Sequence, residues 1–191
     1  IMDICEKNNA KAVMTSKHHT SGTSRITEVA KNIDSDIIIN VQGDEPLINE
    51  DVLKPVIDAF DDENVDIATL KTKIEDYSPL IKDENAVKVV CDYKDYAMYF
   101  SRATIPHKRF DQDILVKYYK HIGVYAFRRE ALLKIETLQE CEYEKIEKLE
   151  QLRWLYNGMK IKVLETNHFI HGIDTKEDLD IVQEYLKKKH L

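Results

Sequence analysis

The stretch IIINVQGDEP, residues 37–46, decides how this sequence is expected to fold. Its first half is a short run of β-branched residues, typical of a strand that is covered on both faces, as strands of parallel sheets are. The run ends at Gly43, Asp44 and Pro46, residue types that favour a turn. Helically spaced apolar residues flank the stretch, namely Ile26, Val29, Ala30 and Ile33 before it and Leu53, Val56, Ile57 and Phe60 after it. Helix, strand and helix in succession predict an α/β domain.

The rest of the chain continues this alternation of strands and helices. Further strands are predicted at 65–72, 87–91, 97–100, 118–127 and 160–165. Further helices are predicted at 129–135, at 145–157 with Gly158 as the C-terminal cap, and after Thr175, where Asp178 completes a helix-start box. We therefore expect a three-layer α/β/α sandwich with a mostly parallel sheet, in which residues 93–128 are an inserted β region.

The chain is expected to form a single domain over residues 1–191, because it contains no repeat, linker or compositional boundary. It opens at residues 1–9 in what resembles the middle of a helix, with no strand before it. An α/β domain usually begins with a strand that feeds a ligand-binding turn. We therefore expect that an N-terminal portion of the domain is missing.

Composition excludes several classes of protein. Hydrophobic residues make up 43% and charged residues 33% of the sequence, which is typical of a soluble globular protein, and no apolar run is long enough for a membrane span. A formal net charge of -7 argues against binding to nucleic acid, which needs a dense cationic surface. The three cysteines are too widely spaced for a metal motif or a disulfide framework, which favours the cytoplasm.

Two aspartates lie where a ligand site is expected. Asp44 follows a strand, and Asp174 lies between a strand-like stretch and a helix start. Mg²⁺ prefers such hard oxygen ligands, commonly one or two carboxylates together with phosphate oxygens and water. The alternatives are an ordinary turn at Asp44 and a helix cap at Asp174. The residues alone therefore indicate an enzyme-like domain with one candidate divalent-metal site.

Three further segments carry polar groups that could bind an anion. Residues 20–25, TSGTSR, place hydroxyls, a glycine and Arg25 at a helix start, where free backbone N–H groups favour negative charge. Arg102 ends a strand, and His121 interrupts another. Together Arg25, Arg102 and His121 could form a pocket for a carboxylate and hydroxyls, although each taken singly is typical of a surface cation or a satisfied polar residue. His168 and His171 lack a third metal ligand at a recognised spacing.

Six segments in order give the chain a resemblance to a known family. They are TSGTSRITEVA (20–30), NVQGDEPLI (40–48), YFSRATIPHKR (99–109), HIGVYAFRREALL (121–133), EKLEQLRWLYNGMKIKV (147–163) and GIDTKEDLD (172–180). With these segments the chain resembles the bacterial 3-deoxy-manno-octulosonate (Kdo) cytidylyltransferases, the CMP-Kdo synthetases, from about Thr15 to the C-terminal helix. The resemblance implies a fold of the nucleotide-diphospho-sugar-transferase type.

The resemblance also implies roles for individual residues. Asp44 and Asp174 would bind Mg²⁺ beside the phosphates of CTP, and Ser21 and Gly22 would lie against the cytosine. A third set would surround Kdo, namely Arg25, Gln42, Arg102, His121, Tyr125, Glu150 and Gln151. The implied enzyme is a magnesium-dependent nucleotidyltransferase that forms CMP-Kdo and pyrophosphate for lipopolysaccharide biosynthesis. A cytoplasmic homodimer is expected from the family.

Two departures from the family pattern and two alternatives qualify this expectation. Ser24 stands where family members carry an acidic residue, and nothing matches the family's opening loop of the kind PARxxSxRxPGKP, which grips the triphosphate. We therefore expect this chain by itself to be inactive or nearly so. The alternatives are a cytidylyltransferase for another acidic sugar and a non-catalytic nucleotide-binding protein on the same scaffold.

Overall fold

A computed structural model describes residues 1–109 and 115–189. The helices are α1 (Met2–Lys7), α2 (Gly22–Ala30), α3 (Glu50–Asp58), α4 (Arg129–Ile135), α5 (Glu142–Glu147), α6 (Gln151–Tyr156) and α7 (Lys176–Lys188). The strands are β1 (Ile37–Asn40), β2 (Ile67–Ile74), β3 (Lys88–Cys91), β4 (Ala97–Ser101), β5 (Tyr118–Arg128) and β6 (Ile161–Glu165). The expectation of an α/β fold is confirmed. None of the helices in these two ranges is long and apolar enough to cross a membrane.

The strands form one sheet in the order β4-β3-β5-β2-β6, and β1 pairs with the C-terminal end of β5. Of the paired strands only β2 and β6 are parallel, so the prediction of a mostly parallel sheet is wrong. The physical reason is the central position of β5. Strands β1, β2, β3 and β6 share one direction, as the alternation with helices indicates, but β5 runs against them and separates β2 from both β1 and β3.

Helices cover both faces of the sheet and bury two clusters of apolar side chains. On one face Phe127 and Ile161 of the sheet pack with Leu132 of α4 and Trp154 of α6. On the other face, residues of α3 pack against sheet residues such as Ala68. Neighbouring residues of a strand point to opposite faces, which is why Ile67 joins the first cluster and Ala68 the second. The three-layer arrangement is therefore confirmed.

Two local predictions need correction. The single helix expected at 145–157 is divided into α5 and α6, because Lys148 adopts a left-handed conformation with φ 54° that a continuous helix does not allow. The β region expected as an insertion at 93–128 is not separate, since β4 and β5 belong to the one sheet and β5 is its central strand. Residues 110–114 of that region lie outside the described residues. Gly158 does follow α6 with a positive φ of 80°, as a C-terminal cap requires.

Candidate active site

Two loops meet at the edge of the sheet where β1 and β6 end. The two strands run in the same direction, so the loops that carry Asp44 and Asp174 leave the sheet on the same side. The N–H of Ile173 donates to the carbonyl oxygen of Asp44 at 2.8 Å and ties one loop to the other. Both aspartates line a cavity of about 290 Å³, called here the acidic pocket. Residues separated by 130 positions in the sequence thus face one space.

The acidic pocket concentrates negative charge. Besides the two aspartates it contains the carboxylates of Glu45 and Asp178, together with Lys120 and His171. Burial, and then the charge of Asp44, raise the pKa of Glu45 above its usual value. One carboxylate oxygen of Glu45, Oε2, is buried and has no hydrogen-bond partner among the described residues. A buried carboxylate oxygen without a partner is costly, so the pocket is suited to a cation.

The Asp174 side chain is not used to cap helix α7. Thr175 is the N-cap residue, and its hydroxyl accepts from the N–H of Asp178, whose carboxylate accepts in return from the N–H of Thr175. The predicted helix-start box is therefore confirmed, and it leaves the Asp174 carboxylate without a hydrogen bond from any described residue. Asp178 also accepts from His171 Nε2 at 2.8 Å. Hydrogen bonds from Thr175 and His171 lower the pKa of Asp178 to about 2.

The acidic pocket offers oxygen ligands of the type that a magnesium ion could share with a substrate. No group of three or more histidine, cysteine or acidic side chains within 1–109 and 115–189 is placed to hold a metal by itself. Mg²⁺ often takes only one or two protein carboxylates, keeps several waters and binds phosphate oxygens. Asp44 and Asp174 supply two such carboxylates on one cavity wall, and the unpartnered oxygen of Glu45 adds negative charge beside them.

His121 reaches the acidic pocket at an irregularity in the central strand. The register of β2 on β5 shifts between Thr69 and Leu70, so that Gly123 and Val124 have no counterpart on β2. The Thr69 hydroxyl lies at this bulge, 2.7 Å from the carbonyl oxygen of Val124 and 3.0 Å from His121 Nε2. A hydroxyl has one proton, and the carbonyl can only accept it. The His121 ring therefore donates from Nε2 to Thr69, which leaves Nδ1 as the acceptor nitrogen.

The environment keeps His121 uncharged. Only 8% of its surface is exposed, and burial first, with the charge of Lys120 second, lowers its pKa to about 3. Its ring packs edge-on against Phe100 and lies 5.3 Å, between centroids, from the ring of Tyr125. Residues four apart in a regular strand are about 13 Å apart. The bulge is what brings His121 and Tyr125 together.

The N-terminus of α2 forms a second polar site. Ser21 caps the helix by accepting from the N–H of Ser24 at 3.2 Å. Ser21 lines a cavity of about 400 Å³ together with Glu150 and Arg153 from the start of α6. Gly22 has no neighbour within 4 Å of the position that a Cβ would take, so its backbone is open to a ligand.

Comparisons with known proteins show the family of this chain. The sequence profile of a family described as Cytidylyltransferase matches residues 1–161. A 3-deoxy-manno-octulosonate cytidylyltransferase from Fusobacterium nucleatum subsp. nucleatum is 47% identical over 183 residues, which are 95% of this chain and 74% of the relative. The chain belongs to the 3-deoxy-manno-octulosonate cytidylyltransferase family. The relative of the same name from Flavobacterium johnsoniae is 44% identical over 98% of this chain and 77% of its own length.

Two solved structures share the fold of this chain. A structure of CMP:2-keto-3-deoxy-manno-octonic acid synthetase complexed with CTP matches with a TM-score of 0.90 and 34% identity, over 98% of this chain and 76% of that chain. The inositol-1-phosphate CTP transferase from T. maritima matches with a TM-score of 0.63 at 20% identity, over 98% of this chain and 70% of that chain. The second likeness concerns the fold alone.

Not every residue expected around the sugar acid lies at the acidic pocket of this cytidylyltransferase. Arg25 is exposed and donates to the Thr15 hydroxyl at 2.9 Å. Arg102 donates from Nε to the carbonyl oxygen of Glu147 at 2.7 Å, and so holds the end of β4 against α5. Neither arginine lines the acidic pocket with His121, so the structure does not bring these three side chains together there.

The two glutamines of the expected set differ in exposure. Gln42 is exposed in the loop after β1, near Asp44. Gln151 is buried at the start of α6, next to Glu150.

Sequence reasoning missed several residues that line or support the acidic pocket. Glu45 and Lys120 are neighbours of predicted residues, and their own chemistry gave no separate signal. His171 was considered only as a transition-metal ligand, whereas it lines the acidic pocket and is held by Asp178. Thr69 belongs to no quoted motif, and its role depends on a bulge that the sequence pattern does not reveal.

Proposed function

We propose that this protein transfers CMP from CTP to Kdo and releases pyrophosphate. The observation that carries the proposal is the shared wall of Asp44 and Asp174 at one cavity, in a chain whose family and solved relative are named for this chemistry. The anomeric hydroxyl of Kdo attacks the α-phosphorus of CTP, and the bond from that phosphorus to the pyrophosphate breaks.

We propose Mg²⁺ as the cofactor, held by Asp44 and Asp174. When bound, the metal supplies positive charge that offsets repulsion between the substrate anions and the charge that develops on pyrophosphate. The two loops contribute by fixed geometry, because the bond between Ile173 and Asp44 limits the relative movement of the carboxylates. The fixed shape of the site then supplies proximity of the two substrates.

The remaining roles follow the placement of the side chains. The open backbone at Gly22 and the capping hydroxyl of Ser21 face the cytosine edge. His121 is neutral and offers a ring nitrogen to a hydroxyl of the sugar acid without adding charge. Six further residues shape the sugar-acid subsite, either by lining it or by fixing the position of the helix or strand on which they lie. They are Gln42, Tyr125, Arg25, Arg102, Glu150 and Gln151.

The metal assignment is tested with Asp44→Asn and Asp174→Asn. In a form of the protein that carries the family's triphosphate-gripping loop, we expect each variant to lose pyrophosphate release by about 100-fold or more, as removal of an electrostatic stabiliser does. Calorimetry should also show that the Mg²⁺-dependent part of CTP binding is lost. Asp180→Asn is the matched control, because Asp180 is an exposed carboxylate on α7 that does not line the acidic pocket. Full Mg²⁺-dependent CTP binding in the Asp44 and Asp174 variants would refute the assignment.

The sugar specificity requires a separate experiment. CMP transfer should be measured with Kdo, with a nonulosonate such as sialic acid, and with an amino analogue of Kdo. We expect Kdo to give the highest kcat/KM. A higher value for another acidic sugar would replace Kdo in the proposal and leave the cytidylyltransferase chemistry in place.

We further propose a cytoplasmic homodimer whose product supplies lipopolysaccharide assembly. The three cysteines are free thiols, in agreement with a reducing compartment. Tyr77 and Leu115 are 98% and 65% exposed and border an apolar cavity of about 460 Å³, a surface suited to a partner. Sedimentation analysis should give twice the mass of the chain, and Tyr77→Lys should reduce it. A monomer at micromolar concentration would contradict the dimer.

A further inference from the structure

Glu150 uses both of its carboxylate oxygens inside the protein. Oε2 accepts from the Thr23 hydroxyl at 2.7 Å, and Oε1 accepts from the Ser21 hydroxyl at 3.1 Å. Thr23 is 5% exposed, so the stronger of these bonds is shielded from water. Hydrogen bonds to an ionised acceptor are about twice as strong as neutral ones. The start of α6 is thereby fastened to the first turn of α2.

A neighbouring arginine contacts the same carboxylate at Oε1. Arg153 lies 3.4 Å from Glu150 and 3.1 Å from Glu144, and its Nε is buried without a hydrogen bond of good geometry among the described residues. Its charge is balanced by these two carboxylates. The cluster of Ser21, Thr23, Glu150 and Arg153, called here the Glu150 lock, therefore fixes where the α2 loop stands relative to α6.

The Glu150 lock also reaches toward the acidic pocket. Burial first, and then the charge of Glu150, raise the pKa of Tyr125 well above its usual value. The Tyr125 ring lies 5.0 Å from that of Trp154 on α6 and 5.3 Å from that of His121 at the pocket. Packed rings connect the lock to the residue expected at the sugar acid.

We infer that Glu150 is a positioning residue that couples the nucleotide subsite at α2 to the sugar-acid subsite. The inference rests on the proposed function, because it takes the α2 loop as the place of the cytosine. A nucleotide that fixes the Ser21 loop also fixes Glu150, and through it α6 and the rings behind it. Because both carboxylate oxygens of Glu150 already accept hydrogen bonds within the protein, Glu150 contributes to sugar-acid binding mainly by holding α6 and the rings behind it in place. Coupling between binding sites is reciprocal, so the sugar acid must tighten nucleotide binding by the same factor.

The experiment compares coupling factors measured by calorimetry. The Kd of the α,β-methylene analogue of CTP, which does not react, is measured with Mg²⁺ in the absence and in the presence of saturating Kdo. We expect a coupling factor of about 5 or more in the parent protein, within the usual range. Thr23→Val removes the hydroxyl at nearly constant volume, and Glu150→Gln removes the charge; both should bring the factor toward unity. Thr23→Ser retains the hydroxyl and should restore most of the coupling.

The matched control is Thr27→Val. Thr27 is also a buried threonine of α2, but its hydroxyl donates to the carbonyl oxygen of Thr23 at 2.8 Å and does not reach Glu150. A purely structural role of Thr23 would lower thermal stability in both valine variants and leave the coupling factor unchanged.

Two results would distinguish failure of the inference from failure of the proposed function. Equal coupling factors in the parent protein, Thr23→Val and Glu150→Gln would overturn the inference and leave the proposed function standing. Failure to bind the CTP analogue in a form of the protein that carries the family's triphosphate-gripping loop would refute the proposed function and the inference with it.

Discussion

Replacing Thr69 by valine should destabilise the protein strongly, although the two side chains have nearly the same volume. The Thr69 hydroxyl is fully buried and contacts the carbonyl oxygens of Ile122 and Val124 and the Nε2 of His121. Valine leaves the donor of His121 and the acceptor of Val124 buried without a partner. Each unsatisfied group costs about 1 to 3 kcal/mol. Allowing for relaxation, we expect a loss of about 2 to 4 kcal/mol in the free energy of unfolding.

For a chain of this length, 1 kcal/mol corresponds to about 2 to 4 °C in Tm, so the Tm should fall by roughly 4 to 16 °C. Differential scanning calorimetry measures this change directly. Thr72→Val is the control, because Thr72 is on the same strand and its hydroxyl makes no hydrogen bond within the described parts of the chain; its Tm should change by less than about 2 °C. Thr69→Ser should recover most of the loss. A Tm of Thr69→Val within 2 °C of the parent would refute the reasoning about the bulge.

Three further perturbations test other features. The pKa of His121 is lowered to about 3 in the folded protein, whereas the unfolded chain takes up this proton near pH 6.5, so the free energy of unfolding should fall as the pH drops from about 6.5 to 3. The midpoint of urea unfolding should decrease with pH across this window, and it should decrease less in His121→Gln. An equal pH dependence in the variant would contradict this prediction. Glu45→Gln should raise Tm without Mg²⁺ by about 2 to 4 °C, because it removes the cost of burying a charged carboxylate and then the repulsion from Asp44. It should also reduce the gain in Tm on adding Mg²⁺; an undiminished gain would count against the cation site. Gly158→Ala should cost about 1 kcal/mol in urea unfolding, because its φ of 80° strains any residue with a Cβ; a stabilised variant would disprove this.

Local structure was predictable from the sequence where a single element carries its own signal. The residues 129–135 form α4 as expected, and the Thr175–Asp178 box caps α7, because both depend on neighbours in the chain. Whether neighbouring strands run parallel or antiparallel was not predictable in the same way. Which strand β5 joins is decided by burial on both faces of the sheet, and a β-branched run has no preference between a parallel and an antiparallel partner.

The site was predictable in part for a similar reason. Asp44 and Asp174 both follow strands, and the rule that ligands bind beyond strand ends was sufficient to pair them. The contacts of Glu150 with Thr23 and of Thr69 with His121 join residues 127 and 52 positions apart. Such hydrogen bonds depend on tertiary packing, and no spacing rule within one segment can indicate them.

The central place of β5 also bears on how the chain assembles during synthesis. Strand β1 pairs only with β5, and β2 pairs with β5 and β6, so neither early strand has a partner until residues 118–128 have left the ribosome. Until then the β3–β4 hairpin is the pairing that neighbouring segments can make on their own. The nascent chain must therefore carry two unpaired apolar strands while the segment between β2 and β5 is synthesised, the condition under which chaperones and aggregation compete for a polypeptide.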